Sequence, residues 1–231
     1  MFFSRITINA QTAEPRELLR LARGDVYAVH QILWRLFPED PDADRDFLFR
    51  QEIHNGWPFF YMVSLRRPQE IEGSIQVESK NYQPKLSTGQ RLAFSLRVNP
   101  VVTKKTEDGK RRVRHDVVMN AKRDLATAKS GITDISPGEL QYAAGTKWLD
   151  TRSGGHGFSF DPSLVRVFGY QQHQIKSRNQ KNKIQFSVLD FSGLLTITDC
   201  NLFYRTLTNG IGRAKAFGCG LMLVRRVHPS S

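Results

Sequence analysis

Apolar and polar positions alternate with a period of two along much of this chain, and in a few places that rhythm gives way to one near 3.6. The clearest such place runs from Asp25 to Pro38. Val26, Val29, Leu33, Leu36 and Phe37 recur at three- and four-residue spacing and make one buried stripe. Asp25, after Gly24, supplies an N-cap, and Pro38 ends the run. Tyr27, His30 and Trp34 recur at the same spacing, rotated from the stripe. A phenol, an imidazole and an indole therefore follow one another a turn apart beside the core-facing side. Two packed rings around an ordinary surface histidine account for that arrangement, and so does a reactive site. Spacing alone does not separate the two.

Around this helix the alternating stretches predict strands at residues 3–10, 46–52, 59–65 and 74–80, with a helical turn at 14–22. The order is β-α-β-β-(α)-β, its second helix weak or missing, which is the split βαβ of ferredoxin-like and RRM folds. Lys85 to Gln90 is a turn-rich connector and the expected boundary. Beyond it come a strand at 91–100 and a basic stretch around the Asp108-Gly109 turn. Helices follow at 119–130 and 136–149, the second with a Ser136 cap and Pro137 at its first position. The pattern then predicts a loop at 151–156, a strand at 164–170 and a basic-tipped hairpin at 174–186. It adds strands either side of Ser192-Gly193 and an Asp199-capped helix ended by Asn209-Gly210. The apolar run at 221–224 suits a central strand. The expected fold is α+β: two tandem ferredoxin-like (RRM-like) domains, 1–86 and 91–231, the second with an inserted basic β-hairpin.

Length allows this, since 231 residues bury one large core or two small ones. Charge narrows the partner. The formal net charge is +12 and the pI about 10.0, a balance suited to a polyanion. Residues 162–231 hold ten Lys or Arg against two Asp, a net +8, so two thirds of the excess lies in the last third. A solvated face mixes signs, and this segment does not. Lys176, Arg178, Lys181 and Lys183 on the hairpin and Arg213 and Lys215 in a glycine-rich loop are candidate RNA-phosphate contacts. Gly210, Gly212, Gly218 and Gly220 would let main-chain N–H groups approach a phosphate closely.

Other classes recede. No apolar run approaches the ~20 residues that span a bilayer, and the first residues lack a signal peptide's apolar block, so no membrane role and a cytoplasmic location are expected. Cys200 and Cys219 form no Cys-x-x-Cys pair, and no two of the six histidines have the i, i+4 spacing of a helical metal pair. No disulfide framework, metal site or cofactor is expected. The acidic cluster Glu39 to Asp44 lacks the glycine and terminal glutamate of a calcium loop and reads as a solvated turn.

The motif Tyr27-x-x-His30-Gln31-x-Leu33-Trp34-x-Leu36-Phe37-Pro38 resembles the first helix of the CasE family, the CRISPR type I-E endoribonucleases that cut repeat RNA. Gly210 to Leu221 resembles that family's C-terminal glycine-rich loop. Two motifs near opposite ends and in the right order are more specific than either alone; the middle of the chain matches only in general character. The resemblance implies that Tyr27 and His30 are active-site residues. Arg23, Gln31, Trp34 and Arg35, on or beside the same helix, are further candidate RNA contacts. It also implies a CRISPR repeat stem-loop as substrate, cut at its 3′ base, retention of the mature crRNA, and assembly with other Cascade subunits.

The chemistry suits these residue types. RNA carries its own nucleophile, the 2′-hydroxyl, so a metal is dispensable. Histidine can serve either proton step, a tyrosine hydroxyl can hold the ribose or phosphate or share proton transfer, and a cation can stabilise the phosphorane. Arg23, Arg35, Arg213 and Lys215 are equal candidates for that cation. The expected products are a 5′-hydroxyl fragment and a 2′,3′-cyclic phosphate. Two alternatives stay open: a non-cleaving stem-loop-binding module of the same architecture, and a DNA-binding architectural subunit, which lacks any helix-turn-helix or zinc signature.

Overall fold

The computed structural model describes residues 1–9, 11–12, 14–22, 25–38, 44–106, 109–127, 135–176 and 183–227, with the backbone alone at Glu17, Ala22, Val26, Lys176 and Lys183. Its first half consists of β1 (Phe2–Ile8), α1 (Pro15–Ala22), α2 (Val26–Trp34), β2 (Phe47–His54), β3 (Trp57–Ser64) and β4 (Ile75–Asn81). The strands are antiparallel in the order β2-β3-β1-β4. No helix separates β3 from β4. Val29, Leu33, Leu36 and Phe37, the described members of the predicted stripe, are buried against Ile6, Phe49, Phe60 and Met62. The helix tightens at its end, where Leu36 and Phe37 donate to the carbonyls of Leu33 and Trp34. These i→i−3 bonds turn the chain sharply before Pro38.

The second half runs β5 (Arg91–Val98), β6 (Val101–Lys105), β7 (Arg112–Asp116), α3 (Val117–Thr127), α4 (Pro137–Ser153), β8 (Phe158–Ser159), β9 (Val165–Lys176), β10 (Lys183–Ile197), α5 (Cys200–Asn209) and β11 (Met222–Arg226). The main sheet has the order β11-β5-β10, with both β8 and β9 pairing β10, while β6 and β7 form a separate two-stranded ribbon. Its core gathers Phe94, Leu96, Trp148, Leu149, Phe191 and Phe203. Among the described residues no helix is long and apolar enough to cross a membrane.

Four features depart from the sequence pattern. First, helix α4 continues through 151–153, where a loop is expected. Thr151 and Ser153 hydroxyls donate back to the carbonyls of Trp148 and Asp150, local bonds that satisfy those side chains within the helix's last turns. Second, β10 runs unbroken through Ser192-Gly193, because Gly193 is where the Leu164 carbonyl crosses so closely that a Cβ would collide with it. Third, β9 and β10 pair from Val165 and Gly193 out to Lys176 and Lys183, with one irregularity between Val188 and Asp190. The basic hairpin is thus the outer end of two sheet strands rather than a separate insertion; its tip, 177–182, lies outside the described residues. Fourth, β11 is an edge strand, paired only with β5 among the described residues. Its apolar run comes from burial on both faces: Met222 belongs to the second core, while Leu221 and Leu223 meet Leu48, Val63, Phe3 and Tyr61 of the first sheet.

Candidate active site

Helix α2 begins where the Asp25 carboxylate accepts from the Tyr27 and Ala28 N–H groups, an N-cap that fixes the first turn. Tyr27 is 44% exposed. One turn on, His30 is half-buried, and the Trp34 indole Nε1 donates to its Nε2 at 3.0 Å. An indole nitrogen only donates, so this imidazole nitrogen carries no proton and Nδ1 does. Burial first, and then the nearby charge of Arg45, push the histidine below its ordinary value of 6.5. The Trp34 ring is itself held edge-on to Phe47 at 5.4 Å. The helix therefore presents a neutral imidazole in a fixed orientation.

Arg45 stands just before β2. It is half-buried, and its Nη1 is enclosed with no hydrogen-bond partner. Burial pushes its pKa down. Lys215 approaches from the other end of the chain, on a short 3-10 turn (Lys215–Phe217) that packs against α2 and β2. Its Nζ donates to the Asn209 carbonyl at 2.6 Å. Burial, and then Arg45, lower its pKa as well. Neither cation has an ion-pair partner among the described residues. Two like charges sharing a partly desolvated site cost energy until an anion joins them. His156 lies within reach of the same charge: burial, Arg152 and Lys215 push it down, and its Nδ1 is bonded to the Thr206 hydroxyl at 2.9 Å.

The glycine loop places Lys215. Gly210 (φ +72°) and Gly220 (φ +93°) face each other so closely that a Cβ on Gly210 would stand 2.8 Å from the Gly220 carbonyl oxygen. Gly210 donates to the Thr206 carbonyl, Ile211 to that of Gly220, and Gly220 to that of Arg97 at 2.7 Å. Gly218 is buried against the Phe49 ring. Sequence places Gly210, Gly218 and Gly220 on a phosphate; the structure buries them, with the Gly210 and Gly220 N–H groups spent inside the loop, so close packing is what requires glycine there. Gly212 and Arg213 are exposed.

His30, Trp34 and Lys215 thus come together. Arg213 lies on a groove beside the outer β9–β10 pair. Gln31 and Arg35 are exposed on and just after α2. Arg23, Arg178 and Lys181 lie outside the described residues, as do Glu39 to Ala43 of the acidic cluster, and Lys176 and Lys183 are known only as strand ends. Arg45 is the residue that sequence reasoning missed. It sits between Asp44 and Asp46 and so reads as neutralised. In the fold Asp46 instead takes Arg66 in a two-pronged pair, both contacts 2.9 Å, which leaves the Arg45 charge unmatched.

The family described as CRISPR associated protein matches residues 1–226. The chain is 30% identical over 200 residues to the CRISPR system Cascade subunit CasE of Escherichia coli, covering 86% of this chain and 90% of that protein. The chain belongs to the CRISPR-associated CasE family. Another relative of this CasE-family chain is the CRISPR-associated endoribonuclease Cse3 of Thermus thermophilus, 26% identical over 97% of the chain and 99% of the relative. The structure of Thermus thermophilus Cse3 bound to an RNA representing a pre-cleavage complex superimposes with a TM-score of 0.67 at 25% identity, covering 97% and 98% of the two chains. In the CasE-family chain described here, no three His, Cys, Asp or Glu side chains gather as a metal group among the described residues. Cys200 and Cys219 are both free, and burial pushes the Cys219 thiol up to about 12.

Proposed function

We propose that this chain is an endoribonuclease that binds a CRISPR repeat stem-loop, cuts at its 3′ base, and stays on the mature crRNA among the other Cascade subunits in the cytoplasm. The observation that carries the reading is a neutral His30 beside two half-buried cations, Arg45 and Lys215, that have no counter-ion among the described residues. The names of the relatives support it. So does the strand order of each half, which is that of a split βαβ. On that basis residues 1–86 and 91–231 form tandem ferredoxin-like domains, the first without its second helix and the second with its middle hairpin lengthened and basic.

In the proposed mechanism the substrate's 2′-hydroxyl replaces the indole N–H at Nε2 of His30. The imidazole takes the 2′ proton, the 2′ oxygen attacks phosphorus, and the bond to the 5′ oxygen breaks. Arg45 and Lys215 neutralise the non-bridging oxygens as charge builds on them. The exposed Tyr27 hydroxyl, one turn from His30, holds the ribose or supplies the proton to the leaving 5′ oxygen. Trp34 acts through His30 before RNA arrives, by presetting the tautomer that leaves Nε2 able to accept, rather than by stacking on RNA. No step requires a metal.

The test is incubation with a labelled repeat hairpin in EDTA, wild type against His30→Ala. Wild type is expected to cut in chelator, leaving a 2′,3′-cyclic phosphate. His30→Ala keeps its affinity, which phosphate contacts elsewhere supply, and loses about 10²–10⁴ in single-turnover rate. Tyr27→Phe loses less unless its hydroxyl carries the leaving-group proton. Binding without cutting by wild type would favour the passive stem-loop binder. Strict dependence on added magnesium or manganese would overturn the metal-free mechanism.

A further inference from the structure

Lys215 stands on a turn that its own backbone does not hold. Ala214, just before it, takes a left-handed φ of +55° although it carries a Cβ. Such a conformation persists only where the surroundings impose it. The turn spans three residues, Lys215–Phe217, and the Phe217 N–H donates to the Ala214 carbonyl at 2.9 Å. A 3-10 turn has about three residues per revolution, so Lys215 and Phe217 leave it in different directions. Lys215 reaches the Asn209 carbonyl at the end of α5. Phe217 reaches the β9–β10 strand pair.

Three rings make that second contact. His173 and Phe186 are directly opposed on β9 and β10 and so share one face of the pair. Their rings stack at 5.2 Å and 19°, and Phe186 stacks in turn on Phe217 at 5.0 Å and 14°. Phe186 is the middle ring, and its neighbours occupy its surface, so it serves packing and not a ligand. Aromatic pairs have preferred geometries, and rings this nearly parallel resist tilting. A second tie sets the distance between the same strand and the glycine loop. The Asn99 side chain donates to the Ser187 carbonyl at 2.8 Å, and Asn99 also forms an isolated bridge with Arg213. Strand β10 and the approach to the turn are thus pinned together at Asn99. The ring stack then fixes how the turn is rotated about that point.

We infer that Phe186 is a positioning residue for the cut. Backed by His173, it fixes the Phe217 side of the turn and so aims Lys215 at the phosphate. The inference rests on the endoribonuclease reading and on the part Lys215 takes in it. The strand pair that ends in Lys176 and Lys183 is thereby also the support of a cation at the cut.

The test compares wild type, Phe186→Ala, Lys215→Ala and the double variant on a labelled hairpin of the host's own CRISPR repeat. Single-turnover rates are read well below the melting midpoint of each variant. Affinity is read on a hairpin blocked by a 2′-deoxyribose at the mapped cut. Lys215→Ala is expected to slow cutting by about 10²–10³. Phe186→Ala is expected to slow it by about ten- to 100-fold, up to the loss that a misplacement near ~1 Å brings, and to change affinity by less than about twofold. Added to Lys215→Ala, it is expected to cost less than about twofold, because no cation is left to aim. Phe186→Tyr keeps the ring and is expected to cut within about threefold of wild type. If Phe186→Ala does not fold, Phe186→Leu, which keeps apolar bulk without a flat face, takes its place in the same comparison. Losses that multiply in the double variant, or a Phe186 variant without the ring that cuts like wild type, overturn the inference and leave the endoribonuclease reading standing. Lys215→Ala cutting at the wild-type rate removes that cation from the mechanism, and the inference with it. A wild-type chain that binds the hairpin without cutting overturns both readings.

Discussion

Helices α2 and α4 each follow the first strand of their half, and each carries one tryptophan facing the core. Trp148 is 2% exposed; its Nε1 donates to the Val101 carbonyl at 3.1 Å, and the Arg152 guanidinium covers its ring at 4.1 Å. Arg152 also donates to the Val101 carbonyl, at 3.0 Å. Trp34 is half-buried and gives the same N–H to an imidazole. A backbone carbonyl has one state, so the Trp148 bond can only hold the fold. An imidazole has two, and the Trp34 bond favours one of them. The partner of the N–H, more than the burial of the ring, separates scaffold from chemistry.

The two tryptophans can be broken separately. Trp148→Ala removes a large buried ring stacked near Phe191 and leaves the Val101 carbonyl one donor short. It is expected to cost about 3–5 kcal/mol of stability, read as a lower urea midpoint, while any protein that stays folded cuts normally. A midpoint within error of wild type would remove Trp148 from the scaffold. Next in size is Arg45→Gln, which takes a cation from the α2 side and leaves α4 untouched. Its cleavage rate is expected to fall by about 10²–10³, as for loss of one transition-state donor, with the melting midpoint unchanged. An unaltered rate would leave Lys215 alone to meet the phosphate.

Trp34→Phe is the smallest change and the sharpest. It keeps a ring against Phe47 and removes only the N–H. That N–H stabilises neutral His30 alone, so its loss raises the histidine's pKa toward the ordinary value. His30 must be neutral to accept the 2′ proton, so the acid limb of the pH profile of kcat/KM, which reports the free enzyme, is expected to move to higher pH. The loss on that limb should be about two- to tenfold, the scale of one neutral hydrogen bond. The indole would have no hold on the imidazole if the limb stayed in place or moved the other way.

Local patterns made helix α2 legible: its cap, stripe and terminator are all within fourteen residues, and the buried positions follow the spacing. The Ser136 cap and Pro137 were equally plain in what they start, though not in where α4 ends, because hydroxyl and arginine contacts back to the Trp148 and Asp150 carbonyls lie in those last turns. Edge or centre was not legible for β11, since apolar neighbours on both faces read alike whichever sheet supplies them. His30 is singled out by a motif, whereas its tautomer and the cations near it are not legible in the sequence. Arg45 lies in an irregular segment between two acids, and only closure of the fold shows which of them is committed elsewhere. The stacked rings of His173, Phe186 and Phe217 come from positions whose spacing follows no helix or strand period.

The closure between Gly210 and Gly220 ties the cutting centre to the order in which the chain is made. Tyr27, His30 and Arg45 leave the ribosome early, and Lys215 leaves it late, in a loop that Gly220 ties to the Arg97 carbonyl just ahead of β11 and its pairing with β5. A nascent chain halted anywhere before that point carries the imidazole without its full complement of cations. Under the proposed mechanism an unfinished chain is therefore expected to cut RNA far less well than the finished one.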